Sequence, residues 1–128
     1  MKSILLLLTI AILAFSQDKN AKVDYPTDYR DWTHLKSMLI NKSHPLANPF
    51  EGIHHVYANE KALDGLKKNK YKNGSRFVFD LLQANRNTDA TTEGERKFIG
   101  VMQYDTKLFK NTYLSYSPSL LISIRWEQ

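Results

Sequence analysis

The stretch NGSRFVFDLL, residues 73–82, decides the fold. Asn73-Gly74 is a strong turn signal, and the residues after it alternate as a strand does. Phe77, Phe79 and Leu81 would share one face, and Val78, Asp80 and Leu82 the other. Arg76–Leu82 is therefore expected to be a strand.

The same period recurs on the C-terminal side. In Lys97–Tyr104 the even positions Phe98, Gly100, Met102 and Tyr104 alternate against Ile99, Val101 and Gln103, which predicts a second strand. Between the two, Asn85–Glu95 is polar, without apolar anchors, and reads as a loop. Towards the N-terminus, Phe50–Ala58 reads as a strand. Asn59 then starts a short helix as its cap, ending near Gly65 and the lysine-rich turn that follows. Residues 41–49, with two prolines, are a loop. The segment through Trp32 and on to Ile40 fits either a helix or a strand, because Trp32, Leu35 and Leu39 suit a helix while Leu35 and Leu39 also alternate against Lys36 and Met38. The pattern as a whole predicts an α+β fold, mainly an antiparallel β-sheet with one or two short helices.

The N-terminus carries a targeting signal. Lys2 is followed by an apolar run through Phe15, and Ala14-Phe15-Ser16 offers small residues at a cleavage point before Gln17. A membrane span would need roughly 18 to 20 apolar residues, and this run is shorter. Export to the periplasm or medium is expected, with cleavage near Ser16-Gln17 and no membrane attachment afterwards. The remainder suits one domain. It has no cysteine, so neither a disulfide nor a lipid on Cys can hold it. The chain carries 18 Lys+Arg against 13 Asp+Glu, a formal charge of +5. The excess is scattered, and its densest cluster, Lys67 to Lys72, sits in a turn-like stretch. A solvated loop explains it better than nucleic-acid binding.

Few residues argue for chemistry on their own. His54 and His55 are adjacent in a predicted strand, so they point to opposite faces and cannot share an ion. His34 or His44 could join one of them, but no HxH or HxxxH spacing exists. No nucleophile elbow and no phosphate-binding loop is present, and no two carboxylates have a spacing that argues for an acid/base pair. Phe50, Phe77, Phe79 and Phe98 suit either a ligand pocket or the core of a small sheet.

Five segments in fixed order carry a resemblance: DYRDWTHLKSM (28–38), HPL (44–46), FEGIHHVYANEKAL (50–63), NGSRFVFDLL (73–82) and EGERKFIGVMQYD (93–105). Together they resemble the cytochrome P-460 family, including its cytochrome c′-beta relatives, over residues 25–112. The resemblance implies a short helix through Trp32 followed by a strand, in a periplasmic antiparallel domain wrapped around one c-type haem. Family members bind nitric oxide, or oxidise hydroxylamine and nitric oxide, and often form homodimers. Their haem is attached through a CxxCH motif near the C-terminus, whose His is the axial ligand.

By the same resemblance Phe50 occupies a distal position of the haem pocket. Phe79 stands where hydroxylamine-oxidising members carry a lysine cross-linked to haem, and a phenyl ring cannot form that link. The c′-beta relatives carry Phe there, which implies a gas-binding protein that takes a small diatomic or nitrogen-oxide ligand. His54 is the candidate for a non-covalent haem ligand. The departure is that this sequence has no cysteine, so haem c cannot be covalently bound. Beyond Thr112 the family words stop. The organisation read from the sequence is thus a leader (1–16), a flexible stretch (17–24), the P-460-like domain (25–112) and a divergent tail (113–128). The tail fits two accounts: a truncated haem protein, which is favoured, or a haem-free β-domain that binds a small ligand or a protein. The alternation Leu120, Ile122, Ile124, Trp126 would let the tail pair as an edge strand in either case.

Overall fold

The computed structural model describes residues 23–108 and the backbone of 120–126. The leader, most of the 17–24 stretch, and 113–119 of the tail lie outside the described residues. Five antiparallel strands form one sheet in chain order: β1 (Thr33–Ile40), β2 (Gly52–Ala58), β3 (Ser75–Arg86), β4 (Thr91–Tyr104) and β5 (Leu120–Trp126). The helical pieces are a 3₁₀ turn at Tyr29–Asp31, a four-residue α1 (Ala47–Phe50) and α2 (Glu60–Lys68). This is the expected α+β class, and the ambiguous segment resolves as a short helical turn before Trp32 and then a strand.

The sequence explains most of these boundaries. The Asn59 side chain accepts a hydrogen bond from the Ala62 amide and caps α2, an interaction that contributes about 1 kcal/mol. The helix runs past Gly65 to Lys68, and Asn69 ends it in the left-handed conformation, φ 50°. Gly65 is required inside it: a Cβ there would lie 2.3 Å from the Tyr71 ring.

Other boundaries differ from expectation too, and the last residues of the expected 41–49 loop, from Ala47, form α1. The strand predicted from Phe50 begins at Gly52, because Phe50 closes α1 and the chain turns sharply at Gly52, φ 138°. The stretch expected as a loop at 85–95 is mostly sheet. Ala84, Asn85 and Arg86 pair with Glu93, Thr92 and Thr91 around a turn held by the Asn87 side chain. Backbone pairing needs no apolar face, so a solvated hairpin end leaves no hydrophobic period to read.

The register assigns each residue to a face. On one face lie Val78 and Asp80 of β3, Ile99 and Val101 of β4, and His55 and Tyr57 of β2. The N-terminal segment covers this face: Val23 and Tyr29 pack with Tyr57, Val78, Ile99 and Val101, and Tyr25 and Trp32 flank them. Val23, inside the stretch expected to be flexible, is thus a core residue. We call this the capped face. The opposite face carries His54, Val56, Phe77, Phe79, Leu81, Phe98, Gly100 and Met102, and we call it the aromatic face. The tail segment Leu120–Trp126 pairs with β4 from Tyr104 to Phe98, so part of the divergent tail is the edge strand its alternation allowed.

Candidate functional site

The aromatic face is filled at its two ends and open between them. At one end Leu81 and Phe98 are buried. Phe50, carried over them by α1, meets Phe98 edge-to-face with ring centres 6.0 Å apart. At the other end Tyr71 packs on Phe77 and Tyr104, at 5.9 and 6.3 Å. Between these clusters stands Phe79. It is 38% exposed, whereas its neighbours Val78 and Asp80 are at 0% and 1%. Across the strands it faces Val56 and Gly100, and the glycine offers no side chain to cover it. Leu46 and Met38 are also exposed, at 55% and 52%.

Three residues singled out from the sequence therefore belong to one face. Phe50 and His54 are brought together, with ring centres 6.5 Å apart, although not as members of one strand. Phe50 lies before β2, and the contact comes from α1 folding back. The His54 Nε2 donates to the Phe50 carbonyl at 2.6 Å, since a carbonyl can only accept. Phe79 lies further along β3, beyond Leu81, which pairs with His54. As expected, His55 points to the other face. Among the described residues no group of three metal-ligating side chains converges. Two clefts of about 630 and 560 Å³ also exist. They are lined by polar residues such as Asn59 and Arg76, or Glu95 and Lys97, and neither includes Phe50, His54 or Phe79.

The profile of the cytochrome P460 family matches residues 26–118, well over half of the chain. The chain belongs to the cytochrome P460 family. The match runs past Thr112, into the tail. No curated protein matches the chain.

A P460 domain implies haem, and the residues present can be tested against it. The aromatic face offers the apolar surface that a flat macrocycle would need. A covalent haem does not fit, because the thioether bonds need cysteines and the sequence has none. The His54 Nε2 is engaged by the Phe50 carbonyl, which leaves Nδ1 with the ring's lone pair. The described face thus has a wall for a ligand without a covalent tether.

The capped face holds a polar network that the sequence did not reveal. The Asp80 side chain is wholly buried and accepts from Tyr29 Oη (2.8 Å), Arg30 Nη2 (2.9 Å) and Arg96 Nε (2.8 Å). Burial would raise its pKa, but the hydrogen bonds from Arg96, Tyr29 and Arg30 outweigh this and hold it below the ordinary aspartate value. Burial, and then the bond to Asp80, push the Tyr29 hydroxyl up. Arg30 reaches on to Glu93 at 3.3 Å. Glu93 accepts from His55 at 2.5 Å, and His55 in turn meets Ser37, whose oxygen also meets His34. Burial opposes ionisation of Glu93, but the His55 hydrogen bond and the Arg30 charge prevail and keep its pKa low.

Strand irregularities aim these side chains. The β1 register shifts between His34 and Lys36, which places His34 on the face of Ser37, although residues three apart on a regular strand oppose each other. Two shifts in the β3–β4 pairing likewise bring Arg96 and Glu93 onto the capped face. An alternation pattern assumes regular strands, so it hides all three placements. The only available signal was Asp80 itself, a carboxylate at an inward position of the strongest strand.

Proposed function

We propose that the chain is an exported P460-type binding domain whose aromatic face at Phe79 receives a flat apolar ligand. The observation that carries this reading is a phenyl ring left 38% exposed between the buried residues Val78 and Asp80, with a glycine beside it on β4. Export rests on the leader, and N-terminal sequencing of secreted product should begin at Gln17. Family membership makes haem the first ligand to test. Phe79 removes the cross-linking lysine position, so the reading is a binder of nitric oxide or another small diatomic, not a hydroxylamine oxidase. Without cysteine, any haem held by these residues is non-covalent.

Titration of the purified chain with haemin tests this. A Soret band that disappears on acid–butanone extraction, and is lost in Phe79→Asp, is the expected result. No band, or a band of equal strength in Phe79→Asp, overturns the haem reading. A second reading, a haem-free module for another apolar ligand, is favoured by the lack of any cysteine to tether a haem. It predicts that an apolar fluorescent probe binds in a Phe79-dependent manner where haemin does not.

A further inference from the structure

The opposite face of the sheet holds an arrangement that the binding reading does not use. Ser37 Oγ lies 2.6 Å from His55 Nδ1, and His55 Nε2 lies 2.5 Å from Glu93 Oε1. The proton positions follow from chemistry. An ionised carboxylate only accepts, so His55 carries a hydrogen on Nε2. In neutral His55, Nδ1 then bears the lone pair and must accept from the Ser37 hydroxyl. Ser37 Oγ in turn accepts from His34 Nε2 at 2.8 Å. Nucleophile, base and orienting acid thus form one directed chain, the geometry by which a serine is activated.

Four further features separate this from a chance polar surface. Glu93 is fixed in position by Arg30, which is itself bonded to the buried Asp80. The His55 side chain is only 14% exposed, and its ring packs against His34 and Tyr57 with centres 5.6 and 6.2 Å away. Ser37, by contrast, is exposed on β1, at the sheet edge, where a substrate can reach it. Finally, the bulge that turns His34 towards Ser37 and the shifts that aim Glu93 occur on different strands and serve the same cluster.

We propose that Ser37, His55 and Glu93 form a nucleophilic triad that acylates on, and hydrolyses, small activated carboxylic esters. The Ser37 Oγ lone pair attacks the ester carbonyl carbon while its proton passes to His55 Nδ1, and the carbonyl π pair moves onto oxygen. Collapse of the tetrahedral species expels the alcohol, which leaves with the proton from Nδ1. Water then attacks the acyl-serine by the same proton route, releasing the carboxylic acid and restoring Ser37. Glu93 stays ionised and holds the imidazolium as it forms; Arg30 is a positioning residue. Ser37 is exposed at the sheet edge, so the site selects for a reactive leaving group more than for acyl shape.

The test uses the purified chain with a fluorophosphonate probe and with p-nitrophenyl acetate, reading intact mass, peptide maps and pre-steady-state release. One adduct mapped to Ser37 is expected, absent in Ser37→Ala. His55→Gln should slow labelling about 100-fold, the scale of general-base catalysis, and Glu93→Gln should slow it less. Far-ultraviolet circular dichroism separates these effects from misfolding. Ser37→Cys keeps a nucleophile in place and should still acylate. No adduct at Ser37, labelling as fast in His55→Gln as in the parent, or adducts only on lysine or histidine would overturn the proposal.

Discussion

The two faces of this sheet distribute polarity opposite to habit. The capped face buries a charged aspartate among core apolar residues, whereas the aromatic face leaves a phenyl ring half in water. A buried carboxylate is tolerable only when paired and hydrogen-bonded, and Asp80 has three donors, two of them cationic. The exposed ring has no such compensation within the described residues. Polarity buried with full satisfaction serves to fasten the N-terminal cover, and apolar surface left open is where the proposed ligand would sit. One sheet thus divides its work between a closed side and an open side.

The contrast is sharpest in stability. Asp80→Ala would leave Arg30, Arg96 and the Tyr29 hydroxyl without their shared acceptor, and should cost about 3 to 4 kcal/mol. The low half of the usual range applies because the two arginines are partly solvated, at 42% and 33% exposure. Chemical denaturation measures it; a loss below about 1 kcal/mol would mean that Asp80 does not hold the cover. On the aromatic face, Leu81→Ala should cost about 2 to 3 kcal/mol, since Leu81 is buried. Phe79→Ala, two residues earlier on the same face, should cost under about 1 kcal/mol while reducing ligand binding. If the two substitutions cost the same, the aromatic face is closed and the comparison fails.

Acid should distinguish the faces too. The Asp80 pKa in the fold lies below its ordinary value of 3.8. The stability it supplies is therefore complete above that value and is lost as pH falls through the folded pKa. Glu93, lowered from 4.5, acts in the same sense. Melting temperature should decline on acidification below about pH 4, and Asp80→Asn should blunt that decline while starting from a lower plateau. An unchanged slope in the variant would remove Asp80 from the acid response.

What could be read from the sequence followed regularity. The central strand was legible because Val78, Asp80 and Leu82 alternate without interruption against Phe77, Phe79 and Leu81. The cap of α2 was legible because Asn59 acts locally. Strand β1 was ambiguous for a physical reason: every residue from Thr33 to Leu39 is exposed, so no buried face imposes a period of two. Of the candidate residues, Phe50 was expected in the same strand as His54, but it ends α1 and reaches the His54 ring only because that turn folds back. The polar network escaped notice because Tyr29, Arg30, Ser37, His55, Asp80, Glu93 and Arg96 come from distant segments. Register shifts in β1 and in the β3–β4 pair, which no alternation count detects, complete its alignment.

The bulge in β1 has a consequence unrelated to aiming His34. An edge strand carrying exposed Leu35, Met38 and Leu39 is a template onto which another unpaired strand could add. Such pairing needs a straight ladder of amides at even spacing. The interruption between His34 and Lys36 breaks that ladder and bends the edge, so a second copy finds no continuous rail to extend. Removing Leu35 would straighten the rail, and the same domain would become prone to joining sheet to sheet.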